Sequence, residues 1–215
     1  LRKSRRRYLR LIRRLVDCGV LSYGVQSFCD VGLFAVTKKS GKQRLVVDAR
    51  RANLCFDEPP GVSLPTAAAF SQLELRHGDE LHASQFDLSN AFYQMAMPEP
   101  LRPYFSLPAV QCREVGVFRV GNHLLQPDDW IYPQFRVMAM GWSHALYFCQ
   151  RAFTRIAAAA APACTFLTDT APSPDLTQQP VLSVYVDNLA VLGTSVEAVR
   201  EVAHRIREAT HAIGL

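Results

Sequence analysis

The segment Ser183-Val184-Tyr185-Val186-Asp187-Asn188-Leu189-Ala190-Val191-Leu192 constrains the fold of this chain more than any other. Apolar residues flank one polar pair on both sides, and 181–193 reads as an apolar hairpin bent around Val186-Asp187-Asn188. An Asp at a hairpin tip is ordinary turn chemistry. Earlier in the chain, Phe86-Asp87-Leu88-Ser89-Asn90-Ala91-Phe92 puts another Asp at the end of a strand read over 81–88, just before a turn. Taken alone, Asp87 has the reading of a helix cap. Taken together, the two carboxylates have a further reading, because acids at neighbouring strand ends can share a pair of divalent ions. Mg²⁺ prefers hard oxygen ligands and needs only one or two carboxylates beside water and substrate phosphates. Two such ions about 3.5–4 Å apart activate an attacking hydroxyl and stabilise a leaving oxygen. That chemistry suits the addition of a nucleotide to a 3′-hydroxyl.

The remaining elements surround these two segments. Residues 1–18 read as a helix, with Leu9, Ile12, Leu15 and Val16 on one side, Arg on the others, and Gly19 placed to end it. Residues 32–37 and 44–48 read as strands joined by Lys38-Lys39-Ser40-Gly41-Lys42, a basic tip that suits a flap closing over phosphates. A loop is expected at Pro59-Pro60-Gly61 and a short helix over 67–75. The stretch 108–135 reads as a long excursion from a compact core, and 162–180, with four prolines, as a disordered or looped insertion. A helix is expected over 142–161, and another over 195–213 with Val196, Val199, Val202, Ala203 and Ile206 as its apolar stripe. Ser195 suits its cap and Gly214 its stop. Strands separated by long connections predict an α+β fold, an antiparallel sheet with helices packed on one face.

Charge narrows the partners. Eight of the 24 basic residues lie within the first 14 positions, with no acid among them, which leaves 16 basic against 19 acidic residues in the remainder. That start reads as a solvated helix face, a phosphate-binding arm or a nuclear import signal. No long apolar run follows it, so it is not a signal peptide. No stretch of about 18 apolar residues occurs, and no membrane partner is expected. The six cysteines form no CxxC pair, which argues against zinc and for reduced thiols, hence an intracellular protein of nucleus or cytoplasm. None of the six histidines is chosen as a ligand.

Over nearly its whole length the chain resembles the reverse transcriptase family. Phe34-Ala35-Val36-Thr37-Lys38-Lys39 and Gly41-Lys42-Gln43-Arg44-Leu45-Val46-Val47-Asp48-Ala49-Arg50-Arg51-Ala52-Asn53 are similar to its fingers signature. Asp87 to Phe92 is similar to its first palm motif, an Asp followed five residues later by an aromatic. Met140-Gly141-Trp142, with Gln150 nine residues past the glycine, is similar to its template- and nucleotide-contacting motif. Tyr185-Val186-Asp187-Asn188 is similar to its Tyr-x-Asp-Asp hairpin.

The resemblance implies a right-hand polymerase fold of the retroelement type, an RNA-directed DNA polymerase using two Mg²⁺ (or Mn²⁺) ions. Its partners would be an RNA or DNA template with its primer and deoxynucleoside triphosphates. It implies catalytic roles for Asp87 and Asp187, with Leu88 (through its carbonyl) and Asn188 completing the metal ligands. It implies nucleotide contacts for Lys38, Arg44, Phe92, Gly141 and Gln150. Lys38 and Arg44 would hold the triphosphate, Phe92 would exclude a 2′-hydroxyl, and Gly141 would let the backbone approach closely. Arg50 and Asn53 would be structural or template-side. It also implies a basic helix at 1–18, fingers at 19–62 and 95–142, and a palm at 63–94 and 143–215, with insertions at about 108–135 and 160–180.

Three departures from the family pattern stand out. Asn188 replaces the second Asp of the hairpin, Met140 stands where many relatives have Gln, and no thumb or later lysine precedes the last residue, Leu215. These features expect a fragment or a truncated reading frame. They keep open an inactive nucleic-acid-binding remnant, beside an RNA-dependent RNA polymerase that Phe92 speaks against.

Overall fold

The computed structural model of the chain describes residues 4–37, 39 and 41–215. In chain order its elements are α1 (Arg5–Asp17), β1 (Leu21–Gly24), β2 (Gly32–Thr37), β3 (Gln43–Asp48), α2 (Arg50–Asn53), α3 (Ala67–Ser71), β4 (His82–Asp87) and α4 (Ala91–Gln94). A 3-10 helix (Glu99–Phe105), β5 (Val110–Gln111), α5 (Cys112–Val115), β6 (Arg119–Val120), β7 (His123–Leu124) and β8 (Trp130–Phe135) follow. The last five are α6 (Ala145–Ala160), β9 (Thr165–Phe166), β10 (Val181–Tyr185), β11 (Asn188–Gly193) and α7 (Val196–Ala212). The chain separates into two units, Leu1–Glu58 with Phe92–Ala145, and Pro59–Ala91 with Leu146–Leu215.

In the first unit, α1 begins where the Ser4 hydroxyl accepts from the Arg7 N–H at 3.4 Å. The start expected at residue 1 lies outside the described residues. Ile12 carries the helix's apolar side into a core with Leu21, Val47, Phe105, Phe135 and Trp142. On its basic side, Arg5 pairs with Glu114, and Arg13 donates to the Glu114 carbonyl at 2.5 Å. The Arg5 bond holds the Glu114 carboxyl below the usual range. β2 and β3 pair antiparallel from Gly32↔Asp48 to Thr37↔Gln43.

The two ends of the stretch 108–135 are packed into this unit, while its middle, 113–130, holds the short β6–β7 hairpin and no buried residue. β8 is the middle strand of a three-stranded sheet ordered β1-β8-β5. Val110, Ile131 and Phe135 are all fully buried there. Pro133 hides this strand in the sequence, since a proline removes a ladder donor and argues against a central strand.

The second unit holds a four-stranded sheet ordered β4-β11-β10-β9. β4, β11 and β10 pair antiparallel, and β9 adds two parallel pairs at the edge. The β4 burial alternates along His82–Asp87, so His82, Ser84 and Phe86 face one side and Asp87 the other. The Phe86 ring lies 6.2 Å from Phe153 of α6 and 5.6 Å from the Arg207 guanidinium of α7. The two long helices therefore share one face. Val199, Val202, Ala203 and Ile206 are the buried stripe of α7, which begins with the Ser195 hydroxyl accepting from the Ala198 N–H at 3.2 Å.

On the opposite face, Val181 and Leu192 are covered by Ala69 of α3 together with Leu167 and Leu176. The proline-rich 162–180 segment is looped apart from β9, and Leu167 and Leu176 pin it to the sheet. Each such leucine contributes roughly 1.5–3 kcal/mol by burial. This cover lies at the far end of the strands and leaves the Asp87 end open.

Candidate active site

Asp87 closes β4 and Asn188 opens β11, and the two are directly opposite in the ladder. The Leu88 N–H donates to the Asp187 carbonyl at 2.8 Å, extending the pairing one step past the strand ends. Asp87 is exposed, Asp187 and Asn188 are half-buried, and Leu88 is buried. The structure thus brings together the four residues Asp87, Leu88, Asp187 and Asn188, all in the second unit.

The hairpin tip is a two-residue loop, Val186-Asp187, closed by the pair Tyr185↔Asn188. Val186 has φ 57°, a positive value at the first loop position that ordinarily calls for glycine. Its side chain is nonetheless buried. Gln150 of α6 reaches this loop: its Oε1 accepts from the Val186 N–H at 2.6 Å, and its Nε2 donates to the Val184 carbonyl at 2.9 Å. The Cys149 thiol donates to the Val186 carbonyl at 3.7 Å. Burial first, and the Asp187 charge second, push that thiol up to about 12. The amide of Gln150 is therefore engaged by the hairpin backbone.

The donor set suits a hard divalent cation. Among the described residues no three His, Cys, Asp or Glu side chains gather, so an ion here would take two carboxylates and complete its shell with carbonyl oxygen, water and phosphate, as Mg²⁺ does. The Asn188 Nδ2 donates to Asp187 Oδ1 at 3.3 Å. That amide orients the acid while adding no negative charge.

The other sequence-chosen residues lie in the first unit. Arg44 is exposed on β3 opposite Val36. Phe92 is half-buried against the first unit's core, and its neighbour Tyr93 donates to the Leu45 carbonyl at 3.1 Å. Gly141, at φ 121°, makes its close approach to β3 of the same unit: a Cβ there would sit 2.4 Å from the Val47 carbonyl oxygen. Asn53 brackets the same turn, donating to the Gly141 carbonyl and accepting from the Ser143 N–H, both at 3.0 Å. Arg50 forms a two-pronged bond to Asp48 at 2.7 and 2.8 Å. Lys38 lies outside the described residues.

Sequence reasoning missed Val186 and Cys149. Nothing in Tyr-Val-Asp-Asn announces a positive φ on valine. The bonds from α6 to the hairpin tip span 36 and 37 residues, beyond any local pattern.

Comparison with known proteins identifies the family and the fold. Residues 36–215 match the family described as "Reverse transcriptase (RNA-dependent DNA polymerase)". The chain belongs to that family, whose members are nucleotidyltransferases. It is 26% identical over 106 residues to the Pol polyprotein of Ovine maedi visna related virus (strain South Africa), a match over 47% of this chain and 9% of that protein. Its fold is similar to that of a foamy viral protease-reverse transcriptase solved in complex with double-stranded DNA. That similarity has a TM-score of 0.62 at 16% identity, over 99% of this chain and 30% of the other. The fold class is thereby that of the polymerase fingers and palm. The chain spans less than a third of the length of either relative.

Proposed function

We propose that this chain carries the catalytic centre of an RNA-directed DNA polymerase that extends a primer on an RNA or DNA template. The observation carrying this reading is the register that sets Asp87 opposite Asn188 with Asp187 one residue away, at the open end of a four-stranded sheet. In the reaction the primer's 3′-oxygen forms a bond to the α-phosphorus of a deoxynucleoside triphosphate. The hydroxyl proton is lost and the bond to pyrophosphate breaks. Asp87, Asp187 and the Leu88 carbonyl would hold two Mg²⁺ ions, whose chemistry is to lower the hydroxyl's pKa and neutralise the leaving oxygen. Asn188 keeps Asp187 aimed.

Cationic Arg44 and Lys38 are assigned to the triphosphate, where charge develops. Phe92 is assigned to the sugar, where a ring leaves no room for a 2′-hydroxyl. A cleft of about 380 Å³ along α6 is lined by Arg151, Arg155, Tyr147 and Ser63, a basic and aromatic composition that suits a nucleic-acid strand.

Primer extension on a primed RNA template, with Mg²⁺ and with Mn²⁺, tests this. DNA synthesis is expected, and is expected to vanish in Asp87→Asn and Asp187→Asn. Phe92→Ala should admit ribonucleotides; wild-type use of ribonucleotides would remove the role given to Phe92. A second reading, an inactive nucleic-acid-binding remnant, is favoured by the amide at Asn188. Binding of primed template without extension, unrestored by Asn188→Asp, would establish it.

A further inference from the structure

Two non-glycine residues have positive φ among the described residues, Asn90 at 56° and Val186 at 57°. Asparagine tolerates that region, but a β-branched side chain crowds its own carbonyl there. Val186 cannot simply be exchanged for a permissive glycine without loss, because its side chain, 7% exposed, anchors the tip. Strain of this kind persists only where the surroundings over-determine it.

The surroundings here are two consecutive residues of α6. Gln150 offers an acceptor to the Val186 N–H and a donor to the Val184 carbonyl. It thus continues the pairing along β10 past the residues that β9 covers, Val181 and Leu182, as a neighbouring strand would. Gln150 is itself buried, so water does not compete, and an amide group left unpaired there would be costly. Cys149 holds the Val186 carbonyl, the same peptide group whose nitrogen belongs to Asp187. Both peptide groups flanking the Val186 α-carbon are fixed from one helix turn, immediately before the acid.

We propose that Gln150, assisted by Cys149, is a positioning residue: it locks the left-handed Val186 peptide and so sets the direction in which the Asp187 carboxylate leaves the hairpin. The inference rests on reading Asp87 and Asp187 as an ion-binding pair. Its particular consequence is a coupling. Val186→Gly relieves the strain, so the clamp should matter less in that background.

Mn²⁺ binding to the 215-residue chain, followed by electron paramagnetic resonance, tests it together with hydrogen exchange at the Val186 amide and thermal unfolding. The Val186 amide, although at a hairpin tip, should exchange as slowly as strand amides. Gln150→Ala should weaken Mn²⁺ binding by roughly ten- to a hundredfold, the usual reach of residues that orient a ligand. In the Val186→Gly background, adding Gln150→Ala should weaken Mn²⁺ binding much less than it does in the wild-type chain.

Fast exchange at Val186 overturns the clamp, as does a folded Gln150→Ala chain with wild-type Mn²⁺ affinity. So does a loss of equal size in the Val186→Gly background. Should Gln150→Ala fail to fold, exchange at Val186 in the wild-type chain decides. A wild-type chain binding no Mn²⁺ that Asp87→Asn removes overturns the ion-pair reading itself, an outcome distinct from binding that ignores Gln150.

Discussion

Gly141 shows how one backbone position can be fixed from two directions. Its φ of 121° belongs to a region that side chains avoid. The missing Cβ also leaves room for the Val47 carbonyl at 2.4 Å from where that atom would stand. Gly141→Ala should therefore destabilise the chain by about 1–3 kcal/mol, read as a lower midpoint in urea unfolding. Asn53→Ala should act on the same turn, because both of its amide atoms are used there. The cysteines give a second residue-level expectation. Cys18 and Cys55 are exposed, whereas Cys112 and Cys149 are fully buried, and burial raises both buried thiols. Native-state alkylation mapped by mass spectrometry should label Cys18 and Cys55 first and Cys149 only on unfolding. Rapid labelling of Cys149 would contradict its contact with the hairpin.

At the scale of elements, the 162–180 segment makes the sharpest test, because its composition and its packing point in opposite directions. Its prolines and polar residues read as a loose insertion, yet Leu176 is 2% exposed against Ala69 and Leu192. Leu176→Ala should cost about 2–5 kcal/mol, where a disordered loop would give almost nothing; chemical unfolding separates the two. At the same end of the sheet, Ser195→Ala should cost roughly 0.5–2 kcal/mol by removing the cap of α7. These elements also show what a sequence can disclose. α7 and the β10–β11 hairpin were legible because cap, period and stop are local and agree. β1, β5 and β8 were not, because two of them are very short, the third carries Pro133, and all three exist only through pairing with distant residues. The same limit applies at the site. The two strand-end acids announce themselves locally, while the α6 residues that grip Val186 contribute through a contact that no spacing encodes.

For the molecule as a whole, the uneven charge is the property that bears most on the proposed binding of nucleic acid. The basic excess sits at the start, and α1 divides it into two roles. Arg5 and Arg13 are turned to Glu114 and serve the fold. Arg6, Arg7, Arg10 and Arg14 are exposed on the same helix, leaving them able to displace counterions from a phosphate backbone. Each phosphate neutralised releases a counterion, so binding should weaken linearly in log–log plots of affinity against salt. Replacing those four exposed arginines with Gln, and sparing Arg5 and Arg13, should leave the melting temperature nearly unchanged. It should also lower affinity for primed templates of any sequence by a similar factor and flatten the salt slope by roughly 3. Fluorescence anisotropy across a salt series measures all of this. An unaltered slope would return α1 to a solvated helix face, and a sequence-dependent loss would mean that these arginines read bases rather than phosphates.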